Sequence, residues 1–158
     1  HPEYILFENL PGIEKVEDIT PQFWENRMGQ IMNFEKHISQ NGTKILKFYF
    51  HMSKDEQRER LLKRLENPED NWKFSTGDLK ERALWDDYMK YYEEAINKTS
   101  TDFAPWYIVP ADDKGVARYI VAKIIWEELE KLTDIAEPEL DPKVKANIEE
   151  YRTQLKKM

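Results

Sequence analysis

The 158 residues contain no cysteine, which removes disulfide frameworks, zinc ribbons and thiol chemistry together. Histidine is nearly as scarce: His1, His37 and His51 are too scattered to suggest a transition-metal site. Only five glycines occur, at positions 12, 29, 42, 77 and 115. None stands in a G-x-x-x-x-G-K-[ST] or G-x-G-x-x-G arrangement, so these residues hold no phosphate-cradling loop. No apolar run approaches the roughly 18 residues of a membrane span, and the amino terminus lacks a signal-peptide pattern. Positive charge is also short. Lys and Arg number 24 against 31 Asp and Glu, a net charge of -7, which argues against a general nucleic-acid binder. Any polyanion must therefore meet a local basic patch. No Ser, His and Asp stand in a nucleophile-elbow context, and no carboxylate pair is marked out for acid–base work. From these absences we expect a soluble, cytoplasmic chain with no nucleic-acid or membrane partner.

What is present is charge and aromatic surface: 35 % of the chain is charged and 13 % aromatic. At this length it forms one domain, or one domain with a small appendage, and each amphipathic element is expected to anchor itself with a few large rings. The opening His1-Pro2-Glu3 lacks an initiator Met and runs into a connector through Gly12 with no pattern of its own, as in a chain cut into mid-domain. Thr20-Pro21 then predicts a helix start, with Trp24, Met28, Ile31, Phe34 and Ile38 at helical spacing until Asn41-Gly42 stops it. Ile45 to Phe50 is β-branched and aromatic enough for a buried strand. Ser75 and Asp78 open a long helix through about Lys98, with Leu84, Trp85, Tyr88, Tyr92 and Ala95 as a core-facing stripe. Trp106 to Val109 predicts a second strand, and an apolar helix from about Gly115 to Leu129 follows. Strand, helix, strand, helix is the order of a parallel α/β sheet. A Pro- and acid-rich linker, 133–140, leads to a last helix from Asp141-Pro142 with Val144, Ile148, Tyr151 and Leu155 on one stripe.

The most informative stretch runs from His51 to Ser75. Ser53 caps a helix, with Glu56 completing a capping box. Arg60 and Arg64 share one face of that helix, where two planar, always-charged donors suit neighbouring oxygens of a polyanion. Lys73 adds a third cation from the loop beyond, and Trp72 and Phe74 offer rings to a base or to the core. The competing reading is a solvated surface helix whose Arg and Glu side chains pair with little consequence. Asp112-Asp113 precede a helix and are read as cap and dipole partner in preference to a cation site. His51, ending a strand, is read as structural.

Lys47-Phe48, His51 to Gln57, Arg60, Arg64, Asn71 to Ser75, Asp78, Trp85 with Tyr88, Thr99 to Thr101, Ala104-Pro105-Trp106 and Ala111 to Arg118 together resemble the carboxy-terminal part of the polyphosphate kinase 2 family. The likeness covers about Pro2 to Leu129. It implies an α/β fold of partial P-loop-kinase-like, three-layer type similar to thymidylate kinase, mostly helical here with two short parallel strands. Residues 1–132 are then the carboxy-terminal part of that domain, including a lid at about 60–82, and 133–158 a linker and amphipathic helix. The implied activity is transfer of phosphate between polyphosphate and nucleoside mono- or diphosphates of the ADP, AMP or GDP type, with Mg²⁺, in a homo-oligomer. Arg60, Arg64 and Lys73 are expected at phosphate, with Lys47 and Arg118 as further candidates. Trp72, Phe74, Ser75 and Asp78 fall in the lid. The family's Walker A and B motifs lie amino-terminal to the matched segment, so these residues by themselves are expected to be inactive, with no complete catalytic set and no Mg²⁺ ligands. Two rivals stand beside this reading: an ATP-dependent nucleoside monophosphate kinase relative, and a noncatalytic helical interaction module.

Overall fold

A computed structural model describes residues 1–133 and 135–158. These group into two compact units, His1–Val121 and Ala122–Met158. In the first unit a 3-10 turn at Pro2–Glu8, where the sequence shows no pattern, closes on Asn9 in the left-handed region at φ 50. Helix α1, Pro21–Gln40, begins where Thr20 accepts a hydrogen bond from the Phe23 amide and Pro21 occupies a position whose N–H would go unused. Strand β1 is Lys47–His51, helix α2 Lys54–Glu66, helix α3 Thr76–Ala83 and helix α4 Trp85–Thr99. Strand β2, Trp106–Pro110, precedes helix α5, Lys114–Leu129.

β1 and β2 pair in parallel, with Lys47 opposite Trp106 and His51 opposite Pro110. This is the crossover the alternating elements predict, carried by α2 to α4. Phe48 and Tyr107 stack across the pair with ring centroids 5.5 Å apart. The most buried apolar residues, Ala104, Val109, Ala111 and Ala117, gather around β2 and its exit into α5. The exit is capped as read: Asp113 accepts from the Gly115 and Val116 amides, while Asp112 accepts from the Ser53 amide at 2.7 Å.

Several expectations change, among them the buried strand at Ile45 to Phe50, which is Lys47–His51 with Phe50 exposed. The long helix from Ser75 to Lys98 is two helices, because Leu84 leaves the helical region at φ -90, ψ 19. Lys80 and Arg82 end α3 and Asp86 and Asp87 begin α4, the charge order that favours a stop followed by a new start. The segment read as an open loop at 71–75 is largely a 3-10 turn, Pro68–Lys73. In the second unit the last helix is divided at Asn147 into α6, Pro142–Ala146, and α7, Ile148–Lys156, again with lysines before the break and Glu149 and Glu150 after it.

Candidate functional site

A cleft of about 470 Å³ opens in the first unit between the end of β1, helix α2, helix α3 and helix α4. Each wall has a chemical character set by its element. Helix α2 presents Gln57, Arg60 and Arg64 to it, because residues three, four and seven apart share one helix face. Helix α3 contributes Asp78, Glu81 and Arg82 by the same spacing. The facing wall is aromatic: Tyr49 from β1 and Trp85, Tyr88 and Tyr92 from α4. Tyr49 and Tyr92 lie 4.7 Å apart between ring centroids, and Tyr88 and Tyr92 stack at 6.2 Å.

The three arginines are held differently. Arg60 is tied down: its Nε donates to Glu56 at 2.6 Å, and its Nη2 donates to the carbonyls of Ala111 and Asp112 at 2.7 and 3.0 Å, fastening α2 to the turn before α5. Glu56 is spent on this contact, so Ser53 still accepts from the Glu56 amide but the reciprocal half of the expected capping box is not what the Glu56 side chain serves. Arg64 is looser, 42 % exposed, with its nearest carboxylate oxygen on Asp78 at 3.8 Å. That same oxygen accepts from the Ser75 amide and closes the capping box of α3. Arg82 donates from Nη1 to the Lys54 carbonyl at 2.6 Å and to Gln57 at 2.9 Å, bridging α3 to the start of α2.

Glu81 has its own network. Tyr88 donates to it at 2.5 Å and His1 Nε2 lies 3.0 Å away. The Tyr88 bond to the carboxylate pushes the phenol up to about 12, while the same bond, followed by His1, holds the Glu81 carboxyl below its ordinary value. His1 is raised by Glu3 and Glu81. Burial raises Tyr49.

The remaining expected site residues lie elsewhere. Lys47 does not line the cleft: its ammonium donates to Glu35 at 2.8 Å and to the Thr99 carbonyl at 2.7 Å, 5.3 Å from the Trp106 ring centre, with both charged partners nearly buried. Lys73 pairs with Asp70 and lies over the Trp72 ring. Trp72 is 79 % exposed, whereas Phe74 is half-buried. Arg118 is exposed on α5. Sequence reading overlooked Arg82 and the Glu81 network. The only signal for Arg82 was its place four residues after Asp78, on the face that α3 turns toward α2. Among the described residues no group of three or more His, Asp or Glu side chains is gathered where it could hold a metal ion.

The family model described as polyphosphate kinase 2 matches residues 7–137. The ADP-polyphosphate phosphotransferase of Rhodopseudomonas palustris is 46 % identical over 99 % of this chain and 53 % of its own length. The AMP/ADP-polyphosphate phosphotransferase of Meiothermus ruber is 48 % identical over 76 % of this chain and 45 % of its own. The chain thus spans about half the length of the curated relatives it matches. The crystal structure of polyphosphate kinase 2 from Arthrobacter aurescens TC1 superimposes with a TM-score of 0.74 at 41 % identity, covering 81 % of this chain and 46 % of that one. The architecture is accordingly a partial P-loop-kinase-like α/β fold, mostly helical with two short parallel strands. With the family model covering most of its residues and relatives this similar across nearly its whole length, the chain belongs to the polyphosphate kinase 2 family.

Proposed function

We propose that these residues form the phosphate-gripping part of a polyphosphate:nucleotide phosphotransferase, with residues 1–132 as the carboxy-terminal portion of its domain and 133–158 as a linker and helix. The observation that carries the reading is a cleft with three arginines on two helices in a chain whose net charge is -7. Phosphoryl transfer needs positioning and charge neutralisation more than covalent chemistry, and arginine supplies both. In this reading Arg64, the looser of the two α2 arginines, meets phosphate directly, and Arg60 holds α2 in place beside it. Lys73, Trp72, Phe74, Ser75 and Asp78 belong to a lid whose basic end closes over the polyanion. Mg²⁺, where bound, would offset charge on the phosphates that these arginines hold. The names of the relatives, ADP- and AMP/ADP-polyphosphate phosphotransferases, support the substrate class.

Titration calorimetry with tripolyphosphate and with ADP tests the reading. The chain should bind at least one of them, and Arg64→Ala should weaken that binding about tenfold or more, the size of one lost charged hydrogen bond. A chain that binds neither would sink it. Incubated with Mg²⁺, polyphosphate and ADP or AMP, the 158 residues alone should form no nucleotide product, since they carry no loop to cradle the transferred group. Clear turnover would show that the reacting centre has been misplaced.

A further inference from the structure

Two adjacent aspartates at the exit of β2 serve different helices. Asp113 caps α5, accepting from the Gly115 and Val116 amides at 2.7 and 2.9 Å. Asp112 turns to α2: its Oδ1 accepts from the amide of Ser53, the N-cap residue, at 2.7 Å. In a closed capping box that amide is served by the glutamate three residues on, which here is Glu56. Glu56 instead accepts from Arg60 Nε at 2.6 Å, and Asp112 stands in its place. Arg60 then returns to the same turn, donating from Nη2 to the Ala111 and Asp112 carbonyls at 2.7 and 3.0 Å. The Glu56 amide donates to Ser53 Oγ at 3.1 Å, so Ser53, Asp112, Arg60 and Glu56 form one closed circuit. The turn is itself fixed to the sheet, since Ala111 is buried and its amide donates to the His51 carbonyl at 2.9 Å. It therefore holds α2 at two points, the N-cap and a residue two turns on, roughly 10 Å along the axis. One tether would leave the helix free to pivot, whereas two fix its direction. Arg64 lies one turn beyond Arg60 on the same face, its side chain held loosely with the Asp78 oxygen at 3.8 Å. Its place in the cleft is set by where α2 points.

We propose that Asp112 is a positioning residue for phosphate binding: by taking the N-cap amide of α2 it leaves Glu56 to orient Arg60, and the two tethers together aim α2 so that Arg64 reaches the anion. This rests on the phosphotransferase reading and adds to it a residue, outside the cleft lining, on which the grip depends.

The test is calorimetric titration with tripolyphosphate and with ADP, using Asp112→Ala, Asp112→Asn, Arg64→Ala and the double variant Asp112→Ala with Arg64→Ala. Asp112→Ala should weaken the tighter of the two ligands about fivefold or more. Asp112→Asn keeps an oxygen for the Ser53 amide and should recover most of that loss. In the Arg64→Ala background, Asp112→Ala should change affinity by less than about twofold, because a residue that acts through Arg64 has nothing left to act on. As a readout that needs no variant, exchange of the Ser53 amide hydrogen in the unaltered chain should slow on saturation with the tighter ligand, since coupling between two sites is reciprocal. Unchanged Ser53 exchange, or a folded Asp112→Ala chain that binds as the parent does while Arg64→Ala binds more weakly, overturns the proposal and leaves the phosphotransferase reading intact. Equal losses from Asp112→Ala with and without Arg64 overturn it too, marking Asp112 as structural only. A parent chain that binds neither ligand overturns both.

Discussion

Arg60 and Arg64 stand one turn apart on α2, yet their partners give them different fates under substitution. Arg60 donates to a carboxylate and two carbonyls, one of them on the buried Ala111. Arg60→Ala should therefore cost about 1–3 kcal/mol of stability by leaving polar groups unsatisfied, read as a lowered denaturant midpoint. Arg64→Ala removes only a loose surface pair and should leave the midpoint within about 0.5 kcal/mol while weakening phosphate binding. Equal stability losses for both would show that the two arginines are not divided in this way. His1 offers a pH test at the same scale. Its contacts with Glu3 and Glu81 raise its pKa above 6.5, so the clasp is fully held below that value and is lost as pH rises through the raised pKa. Followed by proton NMR, the His1 midpoint should stand above 6.5 in the parent chain and move back toward it in Glu81→Gln. A midpoint already at the ordinary value would mean the clasp does not form in solution.

Elements in this chain are bounded more by capping and charge order than by apolar spacing. The stripe Leu84, Trp85, Tyr88, Tyr92 is continuous in sequence, but α3 and α4 part at Leu84 because the basic end of one meets the acidic start of the next. The cleft depends on that break, since it turns Arg82 toward α2 while Tyr88 and Tyr92 face it from α4. The segment before α3 is likewise pinned locally. Asn71 donates to the Arg64 and Leu65 carbonyls at 2.7 and 2.9 Å, stapling the 3-10 turn to the end of α2. Asn71→Ala should accelerate hydrogen exchange across 67–77 without altering β1 or β2, because only that turn loses its anchor. Ser75→Ala, which removes the α3 cap, should cost about 1 kcal/mol, measured by thermal or denaturant unfolding. Exchange unchanged in Asn71→Ala would show that the turn is held by something other than this side chain.

Across the first unit, the nearly buried Lys47–Glu35 pair joins β1 to α1 and, through the Thr99 carbonyl, to the end of α4. Trp106 completes it by donating to Thr99 Oγ1 at 2.9 Å from β2. Lys47→Met alone should destabilise by about 3 kcal/mol or more, since it strands a buried carboxylate, whereas Lys47→Met with Glu35→Leu should recover much of that loss. Unfolding curves of the single and double variants decide it. No recovery in the double variant would mean that the pair serves its hydrogen-bond partners more than its own charges.

The sequence by itself determined the alternation of two strands with helices, the parallel pairing of those strands, the caps at Thr20, Ser53, Ser75, Asp113 and Asp141, and the family, since each follows from local spacing, composition or a run of residues read in order. Only the tertiary structure decided what each cation faces. In one dimension Arg60 looked as available as Arg64, with Lys47 a further candidate, but the partners of Lys47 and the two carbonyls that hold Arg60 lie 12 to 52 residues away along the chain. Arg82 went unremarked because its place depends on how α3 turns after Ser75 and stops at Leu84. A charge's role is set by the acceptors that folding brings within about 3 Å, and no local pattern encodes which distant carbonyl that is.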